Sequence, residues 1–352
     1  MTTRAFLVVA LLLVFAVFGA GIFFYGQLES IADNGHEEVA RTKTLTDKPP
    51  ERGSGAREKP NHKPRETSTT VPVEEFEEHV RRLHANGGLL FSQQYSALRP
   101  RADFTWKASL TRENRHKNRY IDIVAYDHRR VKLSPIQGVP GSDYINANFL
   151  DGCEKKKAYI ATQGPLPETE NDFWRMIWEQ DSKTIVMVTK LKEGGRIKCH
   201  QYWPLEGAKV YDDIQVRLTQ TVQLSDFTIR TLSLKKANSG VERKVNHYQY
   251  TTWPDHGVPT RPTSLLKFVR KVSEANPPDA GPMVVHCSAG VGRSGTFIAI
   301  DAMLQRIAAE KSVDVFGYVM SLRQDRNIMV QVQEQYVFIH YVLLEAIKAG
   351  SA

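Results

Sequence analysis

Cysteine is scarce. The 352 residues contain three, Cys153, Cys199 and Cys287, and an odd, sparse set is no disulfide framework. No Asn-x-Ser/Thr glycosylation acceptor occurs anywhere in the chain. Both absences favour a reducing, cytosolic setting for the folded part. No internal repeat is present, which argues against solenoid and propeller arrays. No nucleic-acid motif accompanies the net charge of +8, so no nucleic-acid partner is expected. The basic balance points instead to an anionic membrane face or acidic substrates. From Thr42 to Pro72 there is no aromatic residue and there are few aliphatics, while Pro49-Pro50, Gly53-Ser54-Gly55 and Thr67 to Thr70 interrupt many charges. Such a stretch cannot bury enough surface to fold.

Charge is missing from Ala5 to Tyr25, a run of 21 apolar or small residues. That is long enough to span a bilayer. The alternative is a secretory signal with Arg4 as its basic end and Gly19 or Gly21 near a cleavage point. The length of the run and the cysteine usage favour an anchor. The Lys and Arg count at its flanks marks orientation feebly, and the chemistry below places the bulk of the chain on the cytoplasmic side. The expected organisation is therefore an anchor (or signal) over 1–26, a flexible linker over 27–72 and a folded domain over 73–349. From Arg41 to Glu66 the linker carries eight Lys or Arg against four Asp or Glu, a solvated spacer with at most weak attraction to an anionic leaflet.

What the folded part has is a core: 41% of the chain is hydrophobic and 24% charged. Apolar strands alternate irregularly with helices, which predicts an α/β fold with a mixed twisted sheet flanked by helices. Ile185 to Val188 reads as a buried strand, and Phe173 to Glu179 and Leu265 to Ala275 read as helices. Phe76, Val80 and Leu83 form a helical stripe within 74–86, whose Arg81-Arg82 reads as a solvated face.

The stretch from Pro282 to Leu304 carries the chemistry. Pro282 to Val285 is a short β-branched run that reads as a buried strand. His286-Cys287-Ser288-Ala289-Gly290-Val291-Gly292-Arg293-Ser294-Gly295 follows, small enough for backbone to approach a ligand closely. Thr296 to Leu304 then has a helical pattern. Strand, glycine-rich loop and helix N-terminus together make an anion site. A cysteine there is favoured as its thiolate, which is the nucleophilic form. Arg293 is suited to grip two oxygens of one phosphate. Ser288, Ala289, Gly290, Val291 and Gly292 are expected to hold the remaining oxygens through their amides. The Ser294 hydroxyl is placed to donate to the sulfur as it leaves. The arrangement predicts phosphoryl transfer onto Cys287 with no metal or other cofactor, because the guanidinium and the amides supply the positive field.

Trp253-Pro254-Asp255-His256-Gly257-Val258-Pro259 reads as a loop with stiff and hinge-like positions after a strand-like stretch, Tyr248 to Thr252. A phenolate leaves poorly, so Asp255 is the candidate general acid on a loop that closes over the substrate. Tyr120, in Lys117-Asn118-Arg119-Tyr120-Ile121-Asp122, supplies an aromatic wall for a phenyl ring, and Asp122 a carboxylate for the backbone of a peptide. A neutral amide such as Gln331 orients water without competing as a nucleophile.

These strings resemble the signatures of the classical protein tyrosine phosphatases, and the resemblance runs from about Phe76 to Glu345, nearest to the catalytic domain of receptor-type enzymes. It implies the classical protein tyrosine phosphatase fold and hydrolysis of phosphotyrosine in proteins through a phosphocysteine. In that family Asp255 matches the acid, Gln331 the water-positioning amide, with Gln335 beside it, and Tyr120 with Asp122 the phosphotyrosine recognition loop. Glu193 matches a residue that braces the loop arginine, and Lys198 one that contacts the closed acid loop. His286 precedes the nucleophile as a supporting residue. Arg323 and Arg326 match the family's spacing, and Gln163-Gly164-Pro165 and Gln201 to Pro204 its structural motifs. The alternatives are a phosphotyrosine-binding pseudophosphatase, which usually loses the cysteine, arginine or acid, a dual-specificity or lipid phosphatase, which shares the cysteine loop but should lack Tyr120 with its flanking motif, and a membrane scaffold.

Overall fold

The computed structural model describes residues 68–99, 103–237 and 239–350. Both the expected anchor over 5–25 and nearly all of the expected linker lie outside the described residues. Among the described residues, no helix is long and apolar enough to cross a membrane.

Among the described residues, nine strands build the central sheet: β1 (Arg130–Lys132), β2 (Tyr144–Leu150), β3 (Tyr159–Thr162), β4 (Thr184–Met187), β5 (Ala208–Tyr211), β6 (Ile214–Gln223), β7 (Phe227–Lys236), β8 (Glu242–Tyr250) and β9 (Met283–His286). Their order across the sheet is β1-β2-β3-β9-β4-β8-β7-β6-β5. The middle four, β3, β9, β4 and β8, run parallel, and antiparallel strands flank them on both sides. The mixed α/β architecture expected from the sequence is thus the one observed.

The longer helices are α1 (Phe76–Ala97), α2 (Glu170–Glu179), α3 (Pro262–Ala275), α4 (Gly292–Glu310), α5 (Val315–Asp325) and α6 (Gln333–Lys348). The β9 strand shows why the sheet needs cover on both faces. Successive side chains alternate between faces, so Met283 and Val285 enter the core under α3, α4 and α6. Val284 enters the opposite core, with Phe173, Trp174 and Met176 of α2. Four consecutive buried residues are what a central parallel strand demands.

Several boundaries differ from the sequence expectation. The β9 strand is shifted by one residue, because His286 pairs with Thr162 and Met187. The helix expected over 74–86 starts at Phe76, after a 3-10 turn at Val73–Glu75. It breaks at Ala85–Gly88, where Asn86, Gly87 and Gly88 take positive φ, and resumes to Ala97. Val71 and Pro72, placed in the linker by composition, pair with Val313 and Ser312. A two-residue strand is too short to announce itself by period.

Helix α4 is buried on every side for most of its length, with Ser294 to Met303 all inaccessible. It is the axle of the larger core, and Phe297 packs edge-on to Phe268 of α3 at 5.8 Å. Removing a wholly buried aromatic leaves a cavity that rigid neighbours fill poorly, so Phe297→Ala should cost about 3–5 kcal/mol. Urea unfolding of the two chains measures it, and a cost under about 1 kcal/mol would mean that the helix is not packed as described.

Candidate active site

Between the last residue of β9 and the first of α4 lie five residues, Cys287 to Val291. The site sits at the carboxyl end of the parallel strands, where open α/β sheets bind ligands. Each of the five carbonyls has a donor. The Cys287 carbonyl lies 3.1 Å from His286 Nδ1, and the Ser288 carbonyl accepts from the Gly164 amide at 2.8 Å. Arg326 donates to the Ala289 carbonyl at 3.0 Å through Nη2 and to the Gly290 carbonyl at 2.9 Å through Nε. The Val291 carbonyl accepts from Gly295 at 2.9 Å and from Val330 at 3.1 Å.

A trans peptide points its N–H opposite to its C=O. With the carbonyls of 287–291 all held by the protein, the amides of Ser288, Ala289, Gly290, Val291 and Gly292 turn the other way. Among the described residues, none of these five amides has an acceptor. They form a nest of aligned donors at a helix N-terminus, the arrangement that binds an oxyanion. Gly290 is required for it: its φ is +75°, and a Cβ there would lie 2.0 Å from the Thr162 carbonyl. Arg326, which holds two of the carbonyls and also donates to Asn148 Oδ1 at 2.9 Å, is wholly buried. Burial lowers its pKa to about 10, which still leaves it cationic at neutral pH.

The nest opens into a cavity of about 320 Å³ lined by Cys287, Ser288, Ala289, Gly292, Arg293, Tyr120, Asp122, Glu193, Lys198, Gln331 and Gln335, with Ile123 and Thr189. Eleven of the residues singled out in the sequence therefore line one cavity. Tyr120 is fixed by a 2.9 Å hydrogen bond between its hydroxyl and Ser288 Oγ. Its loop is pinned by Gln163, which accepts from the Arg119 amide at 2.8 Å and donates to the Lys117 carbonyl at 2.8 Å. Gln331 precedes α6 and is exposed. Gln335 is buried in the first turn of that helix, its Oε1 accepting from the Gln331 amide at 2.9 Å.

Arg293 is braced by Glu193 through a two-pronged pair, Nη1 to Oε1 at 2.7 Å and Nη2 to Oε2 at 2.9 Å. Burial opposes the Glu193 charge, but the Arg293 hydrogen bonds, the Lys190 amide and the Thr189 hydroxyl outweigh it and hold the carboxyl below its usual value. Arg293 Nη2 also donates to the Pro254 carbonyl at 3.1 Å, and the guanidinium stands 5.5 Å from the Trp253 ring. Arg293 thus touches the loop that carries Asp255.

Three residues are placed differently from the expectation. Asp255 is exposed and does not line the cavity. It lies beside the Glu193-Gly194 turn, where a Cβ on Gly194 would be 3.5 Å from its Oδ2. Lys198 lines the cavity but makes no ion pair with Asp255 in this conformation. Ser294 Oγ is buried and has no hydrogen-bond partner among the described residues, so it is not bonded to the Cys287 sulfur here. A buried, unpaired hydroxyl is costly. Cys153 and Cys199 stay away from the cavity, and burial raises both thiols, Cys153 to about 11.

The resemblance gave Arg323 and Arg326 a spacing but no task. The structure gives Arg326 the loop carbonyls. It gives Arg323 the Met329 and Val330 carbonyls at 2.9 and 2.7 Å. Val330 needs the second, because its φ of +59° is unusual for a β-branched residue.

Residues 114–345 match the family model for protein-tyrosine phosphatase, and the chain belongs to that family. It is 55% identical over 281 residues to receptor-type tyrosine-protein phosphatase F of Danio rerio, an alignment that covers 80% of this chain and 15% of that protein. It is 57% identical over 281 residues to receptor-type tyrosine-protein phosphatase S of Gallus gallus, covering 80% and 18%. Identity to tyrosine-protein phosphatase Lar-like of Caenorhabditis elegans is 50% over 281 residues, covering 80% and 13%. The chain therefore spans less than a fifth of the length of these curated relatives.

The lowered Glu193 value sets a pH signature. The pair's contribution is complete above the ordinary glutamate value of 4.5 and is lost as pH falls through the lower folded-state value. Glu193→Gln removes the charge and leaves Arg293 unpaired, at a cost of about 3 kcal/mol near neutrality. Unfolding measured from pH 7 downward should show this gap closing only below the normal carboxylate range. A gap independent of pH would contradict the ion pair.

Proposed function

We propose that this chain hydrolyses phosphotyrosine in proteins through a phosphocysteine intermediate. The observation that carries the reading is the convergence of Cys287, Ser288, Ala289, Gly292 and Arg293 on one cavity walled by Tyr120. In the first step Cys287 sulfur attacks phosphorus, the S–P bond forms and the P–O bond to the ring breaks. The amides and Arg293 hold the non-bridging oxygens, whose charge they balance. Asp255 gives its proton to the departing phenol oxygen. In the second step water, oriented by Gln331, gives its proton to Asp255 and attacks phosphorus. The S–P bond breaks, and the Ser294 hydroxyl donates to the departing sulfur, which accounts for its lack of a partner at rest. Tyr120 sets substrate depth: its ring stacks on the phenyl of phosphotyrosine, whereas phosphoserine falls short of the sulfur. Asp122 takes the peptide backbone.

Asp255 reaches its substrate by a swing of the Trp253 to Pro259 loop. Arg293 links the two events, because a bound phosphate and the Pro254 carbonyl share its guanidinium. Lys198 meets Asp255 in the closed position. Residues 5–25 serve as a single membrane span with the catalytic domain over 73–349 on the cytoplasmic side, a reading supported by the receptor-type names of the relatives and by the chemistry's need for a reduced thiol.

Three outcomes test the mechanism. Cys287→Ser should abolish turnover yet still bind a phosphotyrosine peptide, measured by calorimetry. Asp255→Asn should lower kcat for a phosphotyrosine peptide by about 10²–10⁴-fold. Turnover of that peptide should persist in chelator and far exceed that of its phosphoserine counterpart. Binding without turnover by the unmodified chain would instead support the pseudophosphatase alternative.

A further inference from the structure

Behind the cavity lies a set of hydrogen bonds whose directions can be worked out. The Tyr202 hydroxyl, fully buried, sits 2.8 Å from His247 Nε2 and 2.7 Å from His286 Nε2. A hydroxyl has one proton to give, so it donates to one ring and accepts from the other. The ends decide which. At the inner end, His286 Nδ1 faces the Cys287 carbonyl at 3.1 Å. A carbonyl only accepts, so Nδ1 carries the hydrogen. Burial takes the His286 pKa down to about 4, the ring is neutral, and its Nε2 is bare. Tyr202 therefore donates to His286 and accepts from His247 Nε2.

At the outer end, His247 Nδ1 lies 3.3 Å from Arg230 Nη1. Guanidinium only donates, so Nδ1 is bare and Nε2 carries the hydrogen. Burial, then the Arg230 charge, hold His247 neutral. Two independent constraints from opposite ends thus demand the same direction. Arg230 is itself anchored, donating to Gln249 Oε1 at 3.0 Å with its guanidinium 4.6 Å from the Trp203 ring. Among the described residues no carboxylate pairs with this half-buried cation.

We infer that Arg230 is a positioning residue for the Cys287 loop, heading a one-way hydrogen-bond chain through His247, Tyr202 and His286 to the Cys287 carbonyl. The chain rests on these distances together with the neutrality of both rings; its catalytic consequence rests on the phosphatase reading above. Each group that accepts a hydrogen bond becomes a stronger donor to the next. The last acceptor, the Cys287 carbonyl, shares a peptide plane with the Ser288 amide. A donor on that carbonyl both fixes the plane and strengthens the amide that meets the phosphate. Without Arg230, His247 is free to carry its hydrogen on Nδ1. Tyr202 then faces two bare nitrogens with one proton, and the supply to His286 is divided.

The test uses the full chain with Arg230→Met, which keeps length and loses the donor, and Arg230→Lys, which keeps charge and donor. Two readouts are needed. Imidazole ¹⁵N spectra give the tautomers of His247 and His286, and kinetics with an aryl phosphate separate kcat from KM. In the unmodified chain the proposal expects hydrogen on His247 Nε2 and His286 Nδ1. Arg230→Met should mix the His247 tautomers and lower kcat about 3- to 10-fold with KM little changed, and Arg230→Lys should restore most of both. Opposite tautomers in the unmodified chain, or unchanged tautomers and kcat in Arg230→Met, would overturn it. Equal losses in both variants with unchanged tautomers would overturn it too, as a purely structural effect. If the unmodified chain fails to turn over the aryl phosphate, the phosphatase reading falls, while the tautomers still decide the chain's direction.

Discussion

The site depends on keeping five consecutive carbonyls out of it. A short loop around an anion is useful only if its peptide planes all face one way, and the natural tendency of such a loop is to satisfy some of its own amides. Here the planes are held from behind. One imidazole, one amide of a neighbouring loop, a wholly buried guanidinium and the first turn of α4 take the carbonyls of Cys287 to Val291. The amides are thereby organised before any ligand arrives. Preorganised donors avoid reorganisation at the moment of reaction, which is the main advantage of a folded site over water.

The cost of that arrangement is spread through the fold. Arg326 is a buried cation with no carboxylate on it among the described residues; three carbonyl-type oxygens satisfy it instead. Such a group is tolerated only with nearly every N–H satisfied. Gly290 gives up a side chain so that β3 can press against the loop. Val330 adopts a backbone conformation unfavourable for its type so that its amide reaches the Val291 carbonyl. Arg323 and Tyr95 in turn clamp the carbonyl of Val330 itself. The front of the site is held differently. Arg293 answers to Glu193, to the acid loop at Pro254 and, in the reading developed above, to phosphate. A single guanidinium thus touches both the Glu193 carboxylate and the loop that carries Asp255.

Much of this was legible in the chain. The strand, loop and helix around Cys287 announce themselves because glycine, β-branched and helical runs have local periods. The α/β class follows from the mixed order of elements. Tyr120, Glu193, Lys198, Gln331 and Gln335 were placed by resemblance and do meet in one cavity. What could not be read is whatever acts across sequence distance without a period of its own. Arg326 donates to carbonyls 36 and 37 residues away, and nothing near it says so. Tyr202 joins two histidines 45 and 84 residues away, although each looks like an ordinary core residue. The position of the loop that carries Asp255 was also beyond the sequence, because Trp253 to Pro259 has no period that fixes where it packs; Asp255 stands outside the cavity.

The central claim is that the amides of Ser288 to Gly292 are the anion's principal hosts. Titrating the ¹⁵N-labelled chain with inorganic phosphate tests this most directly. The account predicts that those five amide resonances move downfield together along one saturation curve, and that Gly290, which has no side chain to confuse the reading, is among them. Phosphate that competes with an aryl phosphate yet leaves the five amides unmoved would contradict it.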